Sequence, residues 1–236
     1  MLSERSLRDI LPYIGTRYHC PVCGWHFRRM LPFGVSPRPD AQCPRCGSLE
    51  RHRLIWLYLK QCPELFPCSI RLLHVAPEPV FCRILRGLPN IDYVSIDIAS
   101  PLAMMRADLV ALPLYDNCID AILCIHVLEH IVDDRRAMRE LFRVLRPGGW
   151  AILQTPLDLS LRATYEDASI TTPEGRLRAY GQSDHVRCYG RDYRDRLEAA
   201  GFVVHVDCFA RTLPSHKRAR YRIFDHEDIW YCAKPM

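Results

Sequence analysis

From residue 70 onward, short apolar runs alternate with amphipathic segments, and that alternation admits few folds. Ile70–Ala76, Ile91–Ile98, Ile119–Ile125 and Trp150–Gln154 read as strands. The Ile119–Ile125 run reads as a strand buried on both faces. Val80–Leu88 reads as a helix, and Asp133 as the cap of another that runs to about Leu145, with Met138, Leu141 and Leu145 on one face. Arg136 and Glu140 form an i,i+4 pair there, and Pro147-Gly148-Gly149 ends the segment. A helix over Tyr193–Ala200 closed by Gly201, then runs at Phe202–Phe209 and Ile229–Ala233, complete the pattern. Strands that alternate with helices predict an α/β fold, a mainly parallel sheet with helices on both faces.

The front of the chain obeys another rule. Cys20-Pro21-Val22-Cys23-Gly24 and Cys43-Pro44-Arg45-Cys46-Gly47 are matched knuckles with 19 residues between Cys23 and Cys43. A two-residue gap lets both sulfurs of a pair reach one metal, and the following glycine permits a turn whose N–H groups face the thiolates. Cys20, Cys23, Cys43 and Cys46 are therefore expected to hold zinc in a small ribbon. Four protein ligands close a site to substrate, so its role is structural. Between the knuckles lie Trp25, Phe27 and Phe33 with Arg28, Arg29 and Arg38; they read either as the ribbon's core or as a stacking surface for single-stranded nucleic acid. Ser48 is expected to cap a helix over 49–61 in which Leu54, Leu57 and Tyr58 recur at helical spacing, and Arg51, His52 and Arg53 face substrate or solvent. The other eight cysteines (62, 68, 82, 118, 124, 188, 208, 232) show no ligand spacing, and Cys124, Cys208 and Cys232 fall in strand-like apolar runs.

Charge is unevenly spread. The 236 residues carry 32 Lys+Arg and 27 Asp+Glu, a net of +5. Residues 1–60 hold ten basic and four acidic groups, so the whole excess lies at the front, and the HKRARYR segment at 216–222 adds a second basic stretch. Both are places for phosphate contact, or simply solvated surface; the second reads as a loop between the last two strands. No apolar run is long enough to span a bilayer, and the first fifteen residues carry charges without an apolar h-region. The expectation is a soluble, cytoplasmic protein without a membrane partner.

Ligands of open α/β sheets bind at the carboxyl ends of the strands. Those ends carry His74-Val75-Ala76-Pro77-Glu78-Pro79, Asp97, Asp108 before Leu109, and His126-Val127-Leu128-Glu129-His130. Asp97 follows the first turn at the interval of an acid that grips a ribose diol, and Asp108 is suited to accept from an adenine amino group. The run DAILCIHVLEHIVDDRRAMRELFRVLRPGGWAILQTP, Asp108 with its ALPL, and YGRDYRDRLEAAGFVV resemble a class I S-adenosylmethionine-dependent methyltransferase of the type 11 kind. The resemblance covers about two-thirds of the chain. It implies a Rossmann-like sheet and S-adenosyl-L-methionine as cofactor. It also implies a cofactor set of His74, Ala76, Glu78, Asp97, Ile98, Asp108, Leu109 and His126. The chain then divides into a zinc ribbon with linking helix (1–61) and a methyltransferase domain (62–236).

One departure stands out. Where the family has an acid and a glycine-rich turn, this chain has His74 and Ala76, and Pro77 and Pro79 remove two N–H donors. Either Glu78 takes over a polar contact to the cofactor's ammonium group, or cofactor binding is lost.

Residues 156–190 form a long insertion rich in polar and aromatic groups, expected to be a substrate lid. Methyl transfer needs an aligned acceptor and often a base. His126 and His185 are the candidate bases, Asp184 the candidate to orient His185, and His130 reads as structural. Cys124-Ile125-His126-Val127 stands where an amide-clamping Asn-Pro-Pro-Tyr motif would sit, which argues against exocyclic base amines. A small-molecule acceptor leads and RNA follows, through the basic front module. The alternative is a non-catalytic zinc-ribbon module that binds nucleic acid or protein on a degenerate methyltransferase fold.

Overall fold

The alternating runs build one seven-stranded sheet in the computed structural model, which describes residues 6–62 and 69–236. Its strands are β5 (Ile70–Val75), β6 (Ile91–Asp97), β7 (Met105–Arg106), β8 (Ile119–Ile125), β9 (Leu145–Gln154), β10 (Val203–Asp207) and β11 (Ile229–Ala233). Across the sheet they run β10-β11-β9-β8-β5-β6-β7. The β7-β6-β5-β8-β9 ladder is parallel and β11 joins β9 antiparallel. The order reverses at β5, which lies between β6 and β8, so the carboxyl ends of these three strands open side by side.

Of the seven residues of β8 only Asp120 is not buried, because helices cover the sheet as the two-sided apolar pattern requires. Among them, α4 (Asp134–Val144) lays Ala137, Met138, Leu141 and Val144 on the core, and α6 (Tyr193–Ala199) adds Tyr193 and Leu197. Asp133 caps α4 by accepting from the Arg136 N–H at 2.9 Å. Leu145, expected as the helix's last residue, instead opens β9, which begins before the Pro-Gly-Gly corner rather than after it. The run expected over Phe202–Phe209 forms β10 only from Val203 to Asp207, and Phe209 enters a short helix.

The chain forms two compact units. The sheet unit comprises Ser69–Pro77, Leu88–Val206 and Trp230–Met236; the other comprises the described residues of Met1–Cys68 with Glu78–Gly87 and Asp207–Ile229. This second unit holds α1 (Leu7–Ile10), two antiparallel ribbons, β1 (Ile14–His19) with β2 (His26–Phe27) and β3 (Leu31–Phe33) with β4 (Arg38–Gln42), and α2 (Glu50–Gln61). It also contains α3 (Pro79–Leu85), α7 (Phe209–Thr212) and α8 (Ser215–Tyr221). Its small core gathers Ile10, Tyr18, Phe27 and Met30 around Cys20 and Cys43. Phe27 is fully buried, as the core reading asks, whereas Phe33 is 40% exposed. The HKRARYR segment is the helix α8 rather than a loop.

Ser48 does not cap α2: its hydroxyl lies 3.2 Å from both Cys20 Sγ and Cys46 Sγ, and the first turn is closed instead by His52, whose Nδ1 accepts from the Leu49 N–H at 3.0 Å. Cys208 is exposed at the start of α7, against its strand-like expectation, while Cys124 and Cys232 are buried as small apolar groups. Cys68 and the first five residues lie outside the described residues. Among the described residues no helix is long and apolar enough to cross a membrane.

Arg53, expected to face substrate or solvent, is wholly buried. Its guanidinium donates to four carbonyls, Ser48 at 2.7 Å, Ala41 at 3.0 Å, Tyr221 at 2.6 Å and Arg222 at 3.1 Å. One side chain thus joins the second knuckle, β4, α2 and α8. Arg53→Ala strands those carbonyls in a dry interior; it is expected to lower this unit's stability by about 3 kcal/mol, read as an earlier transition in urea.

Candidate functional site

The two cysteine knuckles come together. Cys20 and Cys46 Sγ lie 3.6 Å apart, Cys23 and Cys43 Sγ 3.7 Å, and all four sulfurs are within 4.8 Å of one another. A tetrahedral zinc ion with bonds of about 2.3 Å needs sulfurs about 3.8 Å apart, so the donor set fits. The glycines after the knuckles are needed for their turns: Gly24 and Gly47 have φ of +73° and +75°, and their N–H groups donate to the Cys20 and Cys43 carbonyls at 2.8 and 3.1 Å.

In the sheet unit, the resemblance-implied cofactor residues spread over adjacent strand ends. Val75 pairs with Ile96, and the Ala76 N–H donates to the Ile96 carbonyl at 2.8 Å, which sets the first turn beside Asp97. Asp97 is half-buried, and its Oδ1 accepts from the Ala99 and Ser100 N–H groups, both at 2.7 Å. That bracket fixes the carboxylate at the rim, and among the described residues Oδ2 receives no hydrogen bond. Ile98 beside it is 60% exposed. Asp108 is exposed, with Oδ1 accepting from the Val110 N–H at 3.1 Å, while Leu109 is buried in the core. His74 is fully buried, and its Nδ1 meets the Tyr93 hydroxyl at 2.9 Å; it sits inside the fold rather than on the rim. Glu78 belongs to the other unit, where its carboxylate engages His52 and Arg51.

Two rim residues have unusual backbones. Ala76 and His126, which follow β5 and β8, have φ of +48° and +54°. The left-handed region costs a residue with a Cβ about 1 kcal/mol. Ala76 thus adopts the conformation that a glycine turn provides freely.

Around His126 a polar cluster forms. His126 Nδ1 lies 3.4 Å from Oε1 of Glu129, whose carboxylate is almost wholly buried and accepts from the Thr155 hydroxyl at 2.9 Å. His130 and His185 meet edge to face with ring centroids 4.7 Å apart. Burial pushes the His185 pKa down, the neighbouring His130 adds to this, and Asp184 opposes it. Asp184 does not hold the His185 ring by a hydrogen bond. Its carbonyl and carboxylate face His130 Nδ1 instead, at 3.2 and 3.4 Å.

The insertion at 156–190 contains a helix, α5 (Pro173–Tyr180), and its root is clamped to the sheet unit by buried ions. Arg187 donates to the Leu128, Ile131 and Val132 carbonyls and to Glu166. Arg196 joins Asp134, Glu166 and Asp192 at 3.0, 2.8 and 3.3 Å. Tyr189 donates to Asp134 at 2.7 Å. Burial pushes the Glu166 carboxyl up, but the Arg196 and Arg187 hydrogen bonds outweigh it and leave its pKa low. Arg187 and Tyr189, whose chemistry invites a substrate role, are therefore interior scaffold. Sequence reasoning passed over Glu129; its place between His126 and His130 is the one available signal.

This sheet order, with a final antiparallel strand and an acid at the second strand's end, defines the class I methyltransferase fold. Residues 74–153 match the methyltransferase domain family. A probable S-adenosylmethionine-dependent methyltransferase from Mycolicibacterium smegmatis is 34% identical over 77 residues, 30% of this chain and 30% of that protein. The chain thus spans under a third of the length of the curated relatives it matches. Among solved structures, an S-adenosylmethionine dependent methyltransferase from Mesorhizobium loti superposes with a TM-score of 0.52 at 18% identity, covering 76% of this chain and 96% of that one. The [4+2]-cyclase SpnF superposes at 0.53 and 18% identity, over 80% and 84%. At that identity the likeness is one of fold.

Replacing Ala76 by glycine is expected to change stability by less than about 1 kcal/mol, because relief of the left-handed penalty is offset by loss of the methyl's contact with the core. Equilibrium unfolding in urea checks this; a loss well above about 1 kcal/mol would mean that the methyl contact outweighs the backbone strain.

Proposed function

We propose that this chain is an S-adenosylmethionine-dependent methyltransferase acting on a small molecule, with a structural zinc ion on Cys20, Cys23, Cys43 and Cys46. The observation that carries the reading is the bracketed Asp97 carboxylate at the end of β6, one oxygen held by two N–H groups and the other open. When bound, the cofactor supplies a methyl group on a positively charged sulfur. Asp97 would hold the cofactor by accepting from the ribose hydroxyls and Asp108 by accepting from the adenine amino group, and the exposed Ile98 would offer an apolar side chain to the base, while Leu109 backs this rim from the core. The Ala76 turn would hold the cofactor's amino-acid end, and His74 backs that turn from the interior, where it meets the Tyr93 hydroxyl. His126, one quarter exposed, takes the acceptor's proton, and the buried Glu129 carboxylate behind its ring favours the charged form that results. His185 and Asp184, at the foot of the insertion, line the acceptor side.

A proton-accepting imidazole in place of an amide clamp favours an acceptor hydroxyl, thiol or carbon acid over an exocyclic amine. RNA is the second reading. What favours it is a set of rings in the ribbon unit: His19 and His26 stack at 4.3 Å, and Tyr221 of the basic α8 meets His19 edge-on at 5.5 Å.

Titration with S-adenosylhomocysteine followed by calorimetry is expected to give micromolar binding that weakens at least tenfold in Asp97→Ala with unchanged thermal melting. Absence of binding in folded, metal-loaded protein overturns the reading, and retention of single-stranded RNA by that sample would favour the non-catalytic binding module.

The zinc assignment has its own test. Elemental analysis after exhaustive dialysis is expected to find one zinc per chain. Its removal by a strong chelator should unfold the ribbon unit, because a four-thiolate site contributes its binding energy to folding. Retention of near-ultraviolet circular dichroism without metal would contradict a structural role.

A further inference from the structure

Besides the four cysteines, the described residues hold a second group with metal-ligand chemistry: Glu129, His130 and His185, each offering one donor atom, all within 4.8 Å of one another. We propose that these three side chains form a binding site for a divalent first-row transition-metal ion in the sheet unit, separate from the cysteine site.

Four features carry the proposal. The first is the donor set. Two imidazoles and one carboxylate suit zinc, iron, cobalt or nickel, and three protein ligands leave coordination positions open. An ion at about 2.1 Å from each donor draws them to within about 3–4 Å of one another, and His130, with its side chain one third exposed, has the freedom to close that gap.

The second is burial. Glu129 is 1% exposed and His185 4% exposed, so two of the three donors are already desolvated and held, and their ordering is not charged to metal binding.

The third is the outer shell. Metal-ligating histidines commonly give their other ring nitrogen to a carbonyl or carboxylate, and ligating carboxylates are themselves hydrogen-bonded. Here His130 Nδ1 faces the Asp184 carbonyl at 3.2 Å and its carboxylate at 3.4 Å, which leaves Nε2 for the ion. Glu129 accepts from Thr155 at 2.9 Å.

The fourth is rigidity. The two segments that bring the donors together are pinned on either side of them. The Val186 N–H donates to the Glu129 carbonyl at 2.9 Å, and Arg187 spans the Leu128, Ile131 and Val132 carbonyls. Residues 128–132 and 185–187 therefore act as one piece, as a preorganised site requires.

The open positions of such an ion suit an oxygen of the methyl acceptor, whose pKa it would lower next to His126. That last role rests on the methyltransferase reading; metal binding itself does not.

The test uses the full chain with its cysteine site filled with zinc, dialysed and then titrated with Co²⁺. A second equivalent of metal is expected, with weak visible absorption and no thiolate-to-cobalt charge-transfer band. His185→Gln, Glu129→Gln and His130→Gln should each weaken that equivalent at least tenfold, while the zinc equivalent and thermal melting before cobalt addition stay unchanged. His130 is the least buried of the three, so His130→Gln keeps the test informative if either of the others fails to fold. Binding that stops at one equivalent, or a second equivalent that persists unweakened in all folded variants, overturns the proposal. S-adenosylhomocysteine binding in the same preparation reports on the methyltransferase reading independently.

Discussion

The buried carboxylate of Asp134 is the interaction on which the functional end of the sheet unit depends. It lies in the first turn of α4 and is 3% exposed, yet it receives Arg196 at 3.0 Å and the Tyr189 hydroxyl at 2.7 Å. A charge so placed survives only when it is paired and hydrogen-bonded, and removal of one partner is far more costly than the pair itself is stabilising. The geometry follows from that. Arg187 and Arg196 are forced inward by Asp134 and Glu166, and Arg187 then grips the backbone of the turn after β8. His185, two residues from Arg187, thereby reaches His130. The foot of the long insertion, expected to be a substrate lid, is pinned to the turn after β8.

The ribbon unit uses the same device with a different counter-charge. Among the described residues Arg53 makes no hydrogen bond to a carboxylate; it donates to four carbonyls. The carbonyl ends of helix and knuckle need donors wherever water is absent. A guanidinium offers five in one plane and is more weakly hydrated than an ammonium, so lysine could not replace it there.

These three arginines also explain what could and could not be read from the sequence. Of the parallel ladder, β5, β6, β8 and the second half of β9 were legible because strands buried in a sheet are largely apolar, and Ile119–Ile125 keeps its predicted limits; the two-residue β7 carries no such run and was not expected. The cysteine cluster was legible because a two-residue spacing admits little else. The place of Asp97 at the end of β6, beside the first turn, was legible from its interval to that turn. The fate of polar side chains was not. Arg53, Arg187, Tyr189 and Ser48 have compositions that fit a surface or a substrate pocket, and only the three-dimensional supply of carbonyls, carboxylates and sulfurs decides that they turn inward. Glu129 and His130 were obscured in the same way, since their meaning depends on His185, 55 positions beyond His130.

The strain at Ala76 and His126 bears on the altered first turn. Both residues follow strands that are neighbours in the sheet, and His74 pairs with Leu123 and Val75 with Cys124. The two left-handed residues therefore stand at adjacent strand ends, where each costs about 1 kcal/mol that a glycine would save. Such strain persists only when the surroundings over-determine it. Here they do: the Ala76 N–H is committed to Ile96 and the His126 N–H to Gln154, so neither turn can relax without breaking its neighbour's ladder. The HVAPEP stretch thus reaches a glycine-like backbone turn by a different route, with prolines limiting the alternatives and the sheet enforcing the conformation. Loss of the glycines is then not in itself loss of the turn, and the question of cofactor binding moves from the backbone of residue 76 to the polar groups beside it, Asp97 foremost.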